Sequence, residues 1–259
     1  QPIEFLRRIL PATGLYIIDR PRAGKGFSHQ VCESLEEALQ YALLFDSQGV
    51  TAYHACAAYR EPFIMGVNKK GEPIRQVRVQ KNVRALKAFW TDLDVEAGVP
   101  TKYADQLEAV DGLVKFCEES GLPQPMVVSS GYGIHVYWTL TEEINPTQWS
   151  QTAAALKALA IHLKLRADHG CTSDSARVLR PVGTYNRKDA HNPKPVEVVA
   201  DAPDLVYADF HRRVMAALEQ HKVKAPDTIK SRETKQEALN EQFAIQRDFP
   251  PCSAQKAAD

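Results

Sequence analysis

The sequence lacks the patterns that mark several classes of protein. No run approaches about 18 consecutive apolar residues, and the opening stretch "QPIEFLRRIL" lacks the layout of a signal peptide. The five cysteines are scattered without a CxxC pair, which disfavours both a zinc ribbon and a disulfide framework. We therefore expect a cytoplasmic protein with reduced thiols and no membrane partner. The first residue is Gln rather than Met, so we expect a fragment of a longer chain.

Net charge is also missing, because 32 basic residues balance 32 acidic residues. The overall charge therefore does not predict a polyanionic partner. Two local clusters are basic: eight lysines and arginines lie between Arg60 and Lys87 against two glutamates, and a second group lies between Arg177 and Lys194. Such clusters can neutralise phosphates. For the first cluster, solvated loop charge balanced by acidic helices is an equal alternative.

The 259 residues, of which 44% are hydrophobic, suffice for one large domain or a main domain with a smaller lobe. Residues 1–85 predict an N-terminal α/β lobe, with strands at "GLYIID" and "VTAYHACAAY" and a helix whose Ser34 and Glu37 form a capping box. Residues 207–259 predict a helical tail with a break at "KVKAPD" and a charged helix from Thr228 to Gln246. We expect this tail to link to a further module.

Residues 86–206 contain six predicted elements in the order β-α-β-β-α-β. The strands are "LKAFWTDLDV", "PMVVSS", "IHVYWTL" and "KPVEVVA". The first helix has Thr101 as its cap and ends before Gly121, and the second begins at Pro146 behind Asn145 and runs to about Lys164. This order predicts an α+β fold with an RRM- or ferredoxin-like (βαββαβ) core, in which the first and third strands are neighbours.

Two aspartates stand at the end of the first core strand. Because side chains alternate across a strand, Asp92 and Asp94 share one face while Leu93 faces the opposite one. Two ionised carboxylates this close repel each other, and a cation such as Mg²⁺ or Mn²⁺ would remove the repulsion. A DxD tripeptide also arises by chance on exposed surface. The apolar lead-in "AFW" favours a central strand, which the topology places beside the strand of His135.

The stretch "SSGYGIHVYW" joins the second and third core strands. Gly131 and Gly133 flank Tyr132, and their freedom would let backbone N–H groups approach phosphate oxygens. His135 follows on the next strand, where an anion held by the turn would lie. A plain β-hairpin with a packed histidine would show the same pattern, so the sequence leaves the two interpretations open.

A charged segment, residues 166–188, mixes carboxylates and basic groups with apolar residues in "RADHGCTSDSARVLRPVGTYNRK". Alternation along a strand would put Arg177 on one side and Arg180 on the other, so that one arginine faces a triphosphate while the other supports the fold. A surface loop can also hold such charges, but it rarely alternates them with apolar residues this regularly.

The blocks "DLDV", "SGYGIH" and "ADHGCTSDSARVLRPVGTYNRK" resemble, in this order and spacing, the motifs of the archaeo-eukaryotic primase (AEP) superfamily, particularly the primase–polymerases of phages and plasmids. That family carries a D-h-D strand, an S-x-G-x-H hairpin and a downstream aspartate segment with a basic run. Here "RPVGTYN" stands where the family usually has an R-h-P-G order. The resemblance covers residues 89–188, and residues 1–85 match the family only loosely.

The resemblance implies a role for each matched residue. Asp92, Asp94 and Asp168 would be catalytic and would bind two Mg²⁺ or Mn²⁺ ions, with Asp174 as the alternative to Asp168. The triphosphate of the incoming nucleotide would be held by a catalytic histidine and the turn before it, namely His135, Ser130, Gly131 and Gly133. Further nucleotide contacts would come from Arg177, Arg180, Asn186 and Lys188.

The implied function is that of a DNA primase or template-directed polymerase, a nucleotidyltransferase that joins nucleoside triphosphates along single-stranded DNA template and primer. The implied setting is bacterial, phage or plasmid replication, with a helicase module possible in the same chain. One alternative is a single-strand binding module that stacks bases on Trp90, Tyr137 and Trp138, although aligned carboxylates would repel a nucleic-acid backbone. Another is a replication-initiator-type, metal-dependent nuclease, which needs paired histidines that His135 lacks at the second position after it.

Overall fold

The computed structural model describes residues 2–224, which contain six α-helices, one 3₁₀ turn and thirteen strands. The N-terminal elements are α1 (Pro2–Ile9), β1 (Tyr16–Pro21), β2 (Phe27–Cys32), α2 (Leu35–Ser47), β3 (Tyr53–Ala55), β4 (Ala58–Tyr59), β5 (Ile64–Val67), β6 (Pro73–Gln76) and the 3₁₀ turn (Gln80–Asn82). The elements that follow are β7 (Val83–Leu93), α3 (Gln106–Ser120), β8 (Met126–Ser129), β9 (Ile134–Ile144), α4 (Pro146–His162), α5 (His169–Thr172), β10 (Val178–Leu179), β11 (Tyr185–Asn186), β12 (Lys194–Pro195), β13 (Glu197–Ala200) and α6 (Tyr207–Gln220).

Two antiparallel sheets contain nine of the thirteen strands. The larger has the strand order β13-β8-β9-β7-β4, and the smaller has the order β10-β3-β1-β2. The predicted α+β class is confirmed, and β7 and β9, the first and third core strands, are neighbours as expected. The fourth core strand, β13, lies beside the second, β8, while β4 from the N-terminal region occupies the edge beside β7. The predicted strand "VTAYHACAAY" divides into β3, in the smaller sheet, and β4, in the larger.

Local capping chemistry sets the ends of α2 and α4 where the sequence predicts them. The Ser34 hydroxyl accepts a hydrogen bond from the Glu37 N–H at 3.1 Å, but the Glu37 carboxylate accepts from the Glu33 N–H at 2.7 Å rather than from the Ser34 N–H, so only half of the predicted capping box forms. At α4, Asn145 and Gln148 form a complete capping box, with Pro146 in the first turn. Because each cap satisfies N–H groups that have no partner within the helix, these short sequence patterns are enough to define a helix start.

The prediction of Thr101 as the cap of α3 is wrong. The helix begins at Gln106, and the cap is Asp105, whose carboxylate accepts from the Glu108 N–H at 2.8 Å. The preceding residues return to the end of β7, where the Tyr103 N–H donates to the Asp94 carbonyl at 3.1 Å. This contact holds the chain out of the helical conformation until after Tyr103, so the later of the two cap-forming residues begins the helix.

The core between the larger sheet and α4 is aromatic. The Trp149 ring of α4 stacks on Phe89 with an interplanar angle of 2° and lies 4.8 Å from Trp90, centroid to centroid. The Trp149 indole N–H also donates to the Ala88 carbonyl at 2.8 Å. On the other face of the sheet, the Phe5 ring of α1 lies edge-on to Tyr137 at 5.5 Å. Both faces of β7 and β9 are therefore covered, and their residues up to Leu140 are mostly buried.

Among residues 2–224, no helix is both long and apolar enough to cross a membrane. The helical tail begins at Tyr207, in α6, where the sequence predicts it. The predicted charged helix from Thr228 to Gln246 lies outside the described residues. The division into a lobe (1–85), a core (86–206) and a tail (207–259) stays a prediction.

Candidate active site

The candidate site begins where β7 and β9 run side by side near the end of the larger sheet. Asp92 lies directly opposite His135 in the antiparallel register. Two buried contacts fix β7 against α5: the Trp90 indole N–H donates to the Cys171 carbonyl at 3.1 Å, and the Thr91 and Thr172 hydroxyls lie 3.0 Å apart. A shift of one residue would turn every side chain of the strand to the other face, so the buried packing fixes this register. The pairing of Asp92 with His135 therefore follows from the core.

Asp92 is a largely buried carboxylate, with a side chain 20% exposed, whereas Asp94 lies one residue beyond β7 and is exposed. Burial, followed by the charges of Asp94 and Asp168, raises the pKa of Asp92 to about 7, although the positive charge of Arg177 acts in the opposite direction. The negative form of Asp92 is therefore disfavoured by its surroundings. A bound cation would stabilise it.

Asp168 reaches the same strand end through its backbone. Its N–H donates to the Asp92 carbonyl at 2.9 Å. One carboxylate oxygen caps α5 by accepting from the N–H groups of Gly170 and Cys171, and the other lies 2.7 Å from Arg177 Nη2. Asp168 therefore places Arg177 next to the strand that carries Asp92.

Asp174, the alternative to Asp168, also lies close to this region. Its carboxylate accepts hydrogen bonds from the Ala176 N–H at 3.1 Å and from Gln80 Nε2 at 3.0 Å. It lines the same pocket as Asp92. Both aspartates are thus engaged by the protein, and the choice of the third carboxylate stays a prediction.

His135 is buried, with 1% of its surface exposed, and stands behind Asp92 in the wall of the pocket. Its Nε2 lies 3.9 Å from Asp92 Oδ1, beyond hydrogen-bond distance, and its buried Nδ1 has no partner among residues 2–224. Burial, and then the charge of Arg180, holds the pKa of His135 well below its usual range. The imidazole is therefore neutral at physiological pH, so it can donate one hydrogen bond but adds no charge.

These groups line a pocket of about 430 Å³, a volume typical of a small-molecule site. Its wall combines carboxylates, guanidinium groups, an imidazole and two aromatic rings, from Phe27, Tyr53, Arg78, Asp92, His135, Asp174, Arg177, Val178, Leu179 and Arg180. Guanidinium groups bind phosphate oxygens in a planar fork, and aromatic rings stack on flat ligands. The wall therefore suits a phosphate-bearing ligand with an aromatic part.

Arg177 and Arg180 both line this pocket, so the expected division of one arginine to each side of the strand is not seen. The physical reason is that β10 is only two residues long, and both arginines lie outside it. Arg180 packs against Tyr53 of the smaller sheet, with its guanidinium carbon 5.1 Å from the ring centroid and Nη2 3.3 Å from the hydroxyl. The smaller sheet thereby contributes a wall of the site.

The glycine turn between β8 and β9 packs against the hairpin of β11 and β12. Gly131 has φ = +88°, and a Cβ there would lie 2.7 Å from Lys194 Cβ and 2.8 Å from Asn186 Cβ. The Asn186 side chain donates to the Ser130 carbonyl at 2.6 Å, and its oxygen accepts from the Lys188 N–H at 3.0 Å. The backbone of Gly131 is therefore approached closely by Asn186 and Lys194 of the same chain, and this contact explains the need for glycine without a ligand.

The predicted site residues accordingly fall into two groups. Asp92, His135, Arg177 and Arg180 share the pocket, and Asp94 and Asp168 adjoin it at the end of β7. The second group is the turn and its neighbouring hairpin, namely Ser130, Gly131, Gly133, Asn186 and Lys188. A Cβ on Gly133 would lie 3.0 Å from the Leu93 carbonyl, so the turn adjoins the end of β7 that carries Asp94.

Sequence reasoning missed the contribution of the smaller sheet, which supplies Phe27 and Tyr53, and the role of Arg78 in the pocket wall. The only sequence signal for these residues was the membership of Arg78 in the basic cluster between Arg60 and Lys87. The proposed base-stacking surface is wrong. Its aromatics, Trp90, Tyr137 and Trp138, are at most 1% exposed and cannot reach a nucleic acid.

Among residues 2–224, no group of three or more His, Cys, Asp or Glu side chains is arranged to hold a metal ion. The donor set of Asp92 and Asp94 still fits Mg²⁺ or Mn²⁺. Magnesium is commonly bound by one or two carboxylates, with the remaining positions taken by water and substrate phosphates. Burial and the neighbouring aspartates raise the pKa of Asp92, and a bound cation would stabilise its charged form.

No protein-family model matches the sequence, and no curated protein matches it. Solved structures do share its fold. The AEP domain of the primase-polymerase of cyanophage S-2L aligns with a TM-score of 0.52 and 17% identity, covering 78% of this chain and 89% of that domain. The catalytic domain of primase RepB', solved with initiator DNA, aligns with a TM-score of 0.50 and 16% identity, covering 96% of this chain and 98% of that domain.

A second structure of primase RepB' aligns with a TM-score of 0.52 and 17% identity, covering 95% of this chain and 68% of that one. At these identities the likeness concerns the fold. The fold that the resemblance implies is therefore confirmed, because this chain shares its fold with solved AEP primase catalytic domains.

Proposed function

We propose that this chain is a nucleotidyltransferase, a DNA primase or DNA-directed polymerase that joins nucleoside triphosphates along a DNA template. One observation carries the proposal: an under-neutralised carboxylate, Asp92, faces a buried histidine at a pocket lined by arginines. This arrangement occurs in a chain with the fold of AEP primase-polymerases. The combination supports chemistry at a phosphate group more than it supports simple nucleic-acid binding.

The pocket arginines would bind the triphosphate. Arg177 is held by Asp168 at 2.7 Å, and Arg180 rests on the Tyr53 ring, so both side chains are oriented before a ligand enters. Preorganised positive groups stabilise charge that develops on phosphate oxygens without having to move during the reaction. The neutral imidazole of His135 would donate a single hydrogen bond to the same ligand.

Asp92 and Asp94 would hold Mg²⁺ or Mn²⁺, with Asp168 or Asp174 as a third carboxylate. When bound, such ions activate the attacking hydroxyl and stabilise the leaving group in phosphoryl transfer. The chain itself supplies the position of the two carboxylates, which the register of β7 against β9 fixes. The chain also limits the access of water to one side of the site, because His135 and the strand behind it are buried.

The template and primer would be DNA, by analogy with primase RepB', which was solved with initiator DNA. The glycine turn adjoins the carboxylates, so Ser130, Gly131 and Gly133 would contact the nucleotide from the second side, with Asn186 and Lys188 next to them. A replication role in a bacterial, phage or plasmid setting, and a helicase module in the same chain, belong to the same proposal.

Incubation of the protein with a primed and an unprimed DNA template, labelled nucleoside triphosphates and Mg²⁺ or Mn²⁺ tests the proposal. We expect labelled products that grow in length and no scission of the same DNA. Asp92→Ala and Asp94→Ala should each reduce product formation by at least about 1000-fold, because both remove a carboxylate that would hold the metal. The control is Asp111→Ala, an exposed carboxylate on α3, which should leave activity unchanged. Full activity in Asp92→Ala, or scission without extension, would refute the proposal.

A further inference from the structure

We propose that Arg78, held in place by the buried carboxylate of Asp19, is an additional anion-binding residue of the pocket and contacts a phosphate group of the ligand. Arg78 lines the pocket beside Asp92 and Arg177 but lies outside every motif that the sequence singles out. Asp19 would be a positioning residue, since it acts through Arg78. The inference rests on the proposed function only for the identity of the phosphate-bearing ligand.

Asp19 is a fully buried carboxylate in β1, with none of its surface exposed. Both of its oxygens have partners: Oδ2 lies 2.8 Å from Arg78 Nε, and Oδ1 lies 2.6 Å from His29 Nδ1 in the neighbouring strand. A buried charge persists only where such partners compensate for the loss of water. The carboxylate therefore ties the Arg78 side chain to the rigid interior of the smaller sheet.

The contacts of Arg78 leave one end of its guanidinium group for a ligand. Nε donates to Asp19, and Nη1 donates to the Ala176 carbonyl, directly before Arg177. Nη2 makes no hydrogen bond to any of residues 2–224 and is absent from the buried atoms that lack a partner. The guanidinium carbon lies 5.5 Å from the centroid of the Phe27 ring, which also lines the pocket. Two nitrogens of the guanidinium group are therefore held by the protein, and the third, Nη2, is available to a ligand.

Charge and position favour an anion as the occupant. Arg78 is the third guanidinium group in the pocket wall, and of the other two only Arg177 has a carboxylate partner within the described part of the chain, namely Asp168. Of the eight basic residues between Arg60 and Lys87, Arg78 is the one that lines this pocket. An arginine whose Nε is already bound to a carboxylate presents its remaining N–H groups in a fixed direction, as phosphate recognition requires.

Inorganic tripolyphosphate is the probe, and titration calorimetry without DNA is the measurement. Arg78→Lys keeps a positive charge for Asp19 but cannot also reach the pocket, and we expect it to weaken binding about tenfold. Asp19→Asn should weaken binding severalfold although it replaces no pocket side chain, because Arg78 loses the carboxylate that orients it. In the double variant, Asp19→Asn should add nothing to the loss caused by Arg78→Lys, because it acts through that residue. Arg84→Lys, at the partly exposed ion pair with Glu143, is the control and should bind normally.

Circular dichroism at the temperature of the titration establishes that each variant is folded. If Asp19→Asn is unfolded, Asp19→Glu replaces it, since the longer carboxylate displaces Arg78 without removing the charge. Unchanged binding in Arg78→Lys, absence of tripolyphosphate binding in the unaltered protein, or losses that add fully in the double variant would each overturn the inference. Tripolyphosphate binding that depends on Arg78 in a protein that incorporates no nucleotide would instead refute the proposed function and leave this inference intact.

Discussion

Two aspartates, the fully buried Asp19 in the smaller sheet and the largely buried Asp92 in the larger, differ in what surrounds them. Asp19 in the smaller sheet has a cationic or imidazole nitrogen within 2.8 Å of each oxygen. Asp92 in the larger sheet has its nearest imidazole nitrogen at 3.9 Å, and burial, together with the charges of Asp94 and Asp168, raises its pKa to about 7. The first carboxylate is satisfied by the protein, and the second is not.

This difference separates a structural carboxylate from one that is suited to bind a ligand. A carboxylate that is buried without enough positive partners lowers the stability of a fold, because replacing it would remove the repulsion between it and neighbouring acids. A cation brought by the solvent or with the substrate supplies what the protein omits. We therefore expect the two aspartates to respond in opposite ways to mutation and to metal.

The largest effect should come from Asp19→Ala. It leaves Arg78 and His29 without the carboxylate that they share, and breaking a buried ion pair on one side costs about 3 kcal/mol or more of the free energy of unfolding. Urea unfolding followed by circular dichroism measures the change. The control is Asp209→Ala, which removes an exposed pair with Arg212 and should cost less than about 1 kcal/mol. Equal small losses in both variants would mean that Asp19 is not the structural member of the comparison.

Metal should stabilise the protein through the other carboxylate. At a Mn²⁺ concentration about 100-fold above its dissociation constant, binding to the folded state adds about 2.7 kcal/mol to the free energy of unfolding. We expect a corresponding rise in the unfolding temperature of the unaltered protein, measured by differential scanning fluorimetry. Asp92→Asn should abolish this rise, and Asp111→Asn should retain it. The same rise in Asp92→Asn would place the cation elsewhere.

His54 tests whether the lack of a hydrogen-bond partner, rather than the sheet in which a residue lies, makes burial of a polar side chain destabilising. It lies in the smaller sheet, yet its Nδ1 has no partner among residues 2–224, and burial lowers its pKa to about 3. The unfolded chain takes up a proton below about pH 6.5 and the folded chain does not, so stability falls as pH falls from about 6.5 towards 3.

Between pH 7.5 and pH 5.5 this histidine should account for about 1.4 kcal/mol of lost stability. The loss in His54→Leu should be smaller than in the unaltered protein by that amount, as measured by urea unfolding at both pH values. The exposed His191, changed to Gln, is the control and should leave the pH dependence as it is. An identical pH dependence in His54→Leu would show that burial of this imidazole has no such cost.

The parts of the fold that the sequence predicted are those that depend on neighbours in the chain or on a rule of topology. Asn145 and Gln148 determine the start of α4 because the capping box involves only adjacent residues. The position of the strand of Asp92 beside the strand of His135 followed from the order of the elements, since the first and third strands of such a core are neighbours, whereas the register that pairs the two residues depends on buried packing. The prediction that the helix is capped by Thr101 was wrong because the hydrogen bond of Tyr103 to the residue after β7 keeps this segment out of the helix, which starts only at Gln106.

The rest of the site depends on contacts between distant parts of the chain. Arg78 and Asp19 are 59 residues apart, and no spacing in the sequence connects them. The burial of Trp90 and Tyr137 was also beyond the period-two pattern, because a strand that is covered on both faces loses the alternation between inside and outside. Contacts between distant residues, and the burial of both faces of a strand, depend on the packing of the whole sheet, which a single sequence does not display.

The smallest effect is also the most direct test of the comparison. Asp92→Asn removes a buried negative charge that Asp94 and Asp168 oppose, while keeping the shape of the side chain. In buffer with EDTA we expect the free energy of unfolding to rise by about 1 kcal/mol, since the amide avoids the cost that burial imposes on the charged carboxylate and the partial exposure of the side chain screens that cost. Asp94→Asn, at an exposed position, should change stability by less than about 0.5 kcal/mol. Destabilisation by Asp92→Asn would mean that Arg177 and Arg180 already neutralise this carboxylate, and the distinction from Asp19 would then be lost.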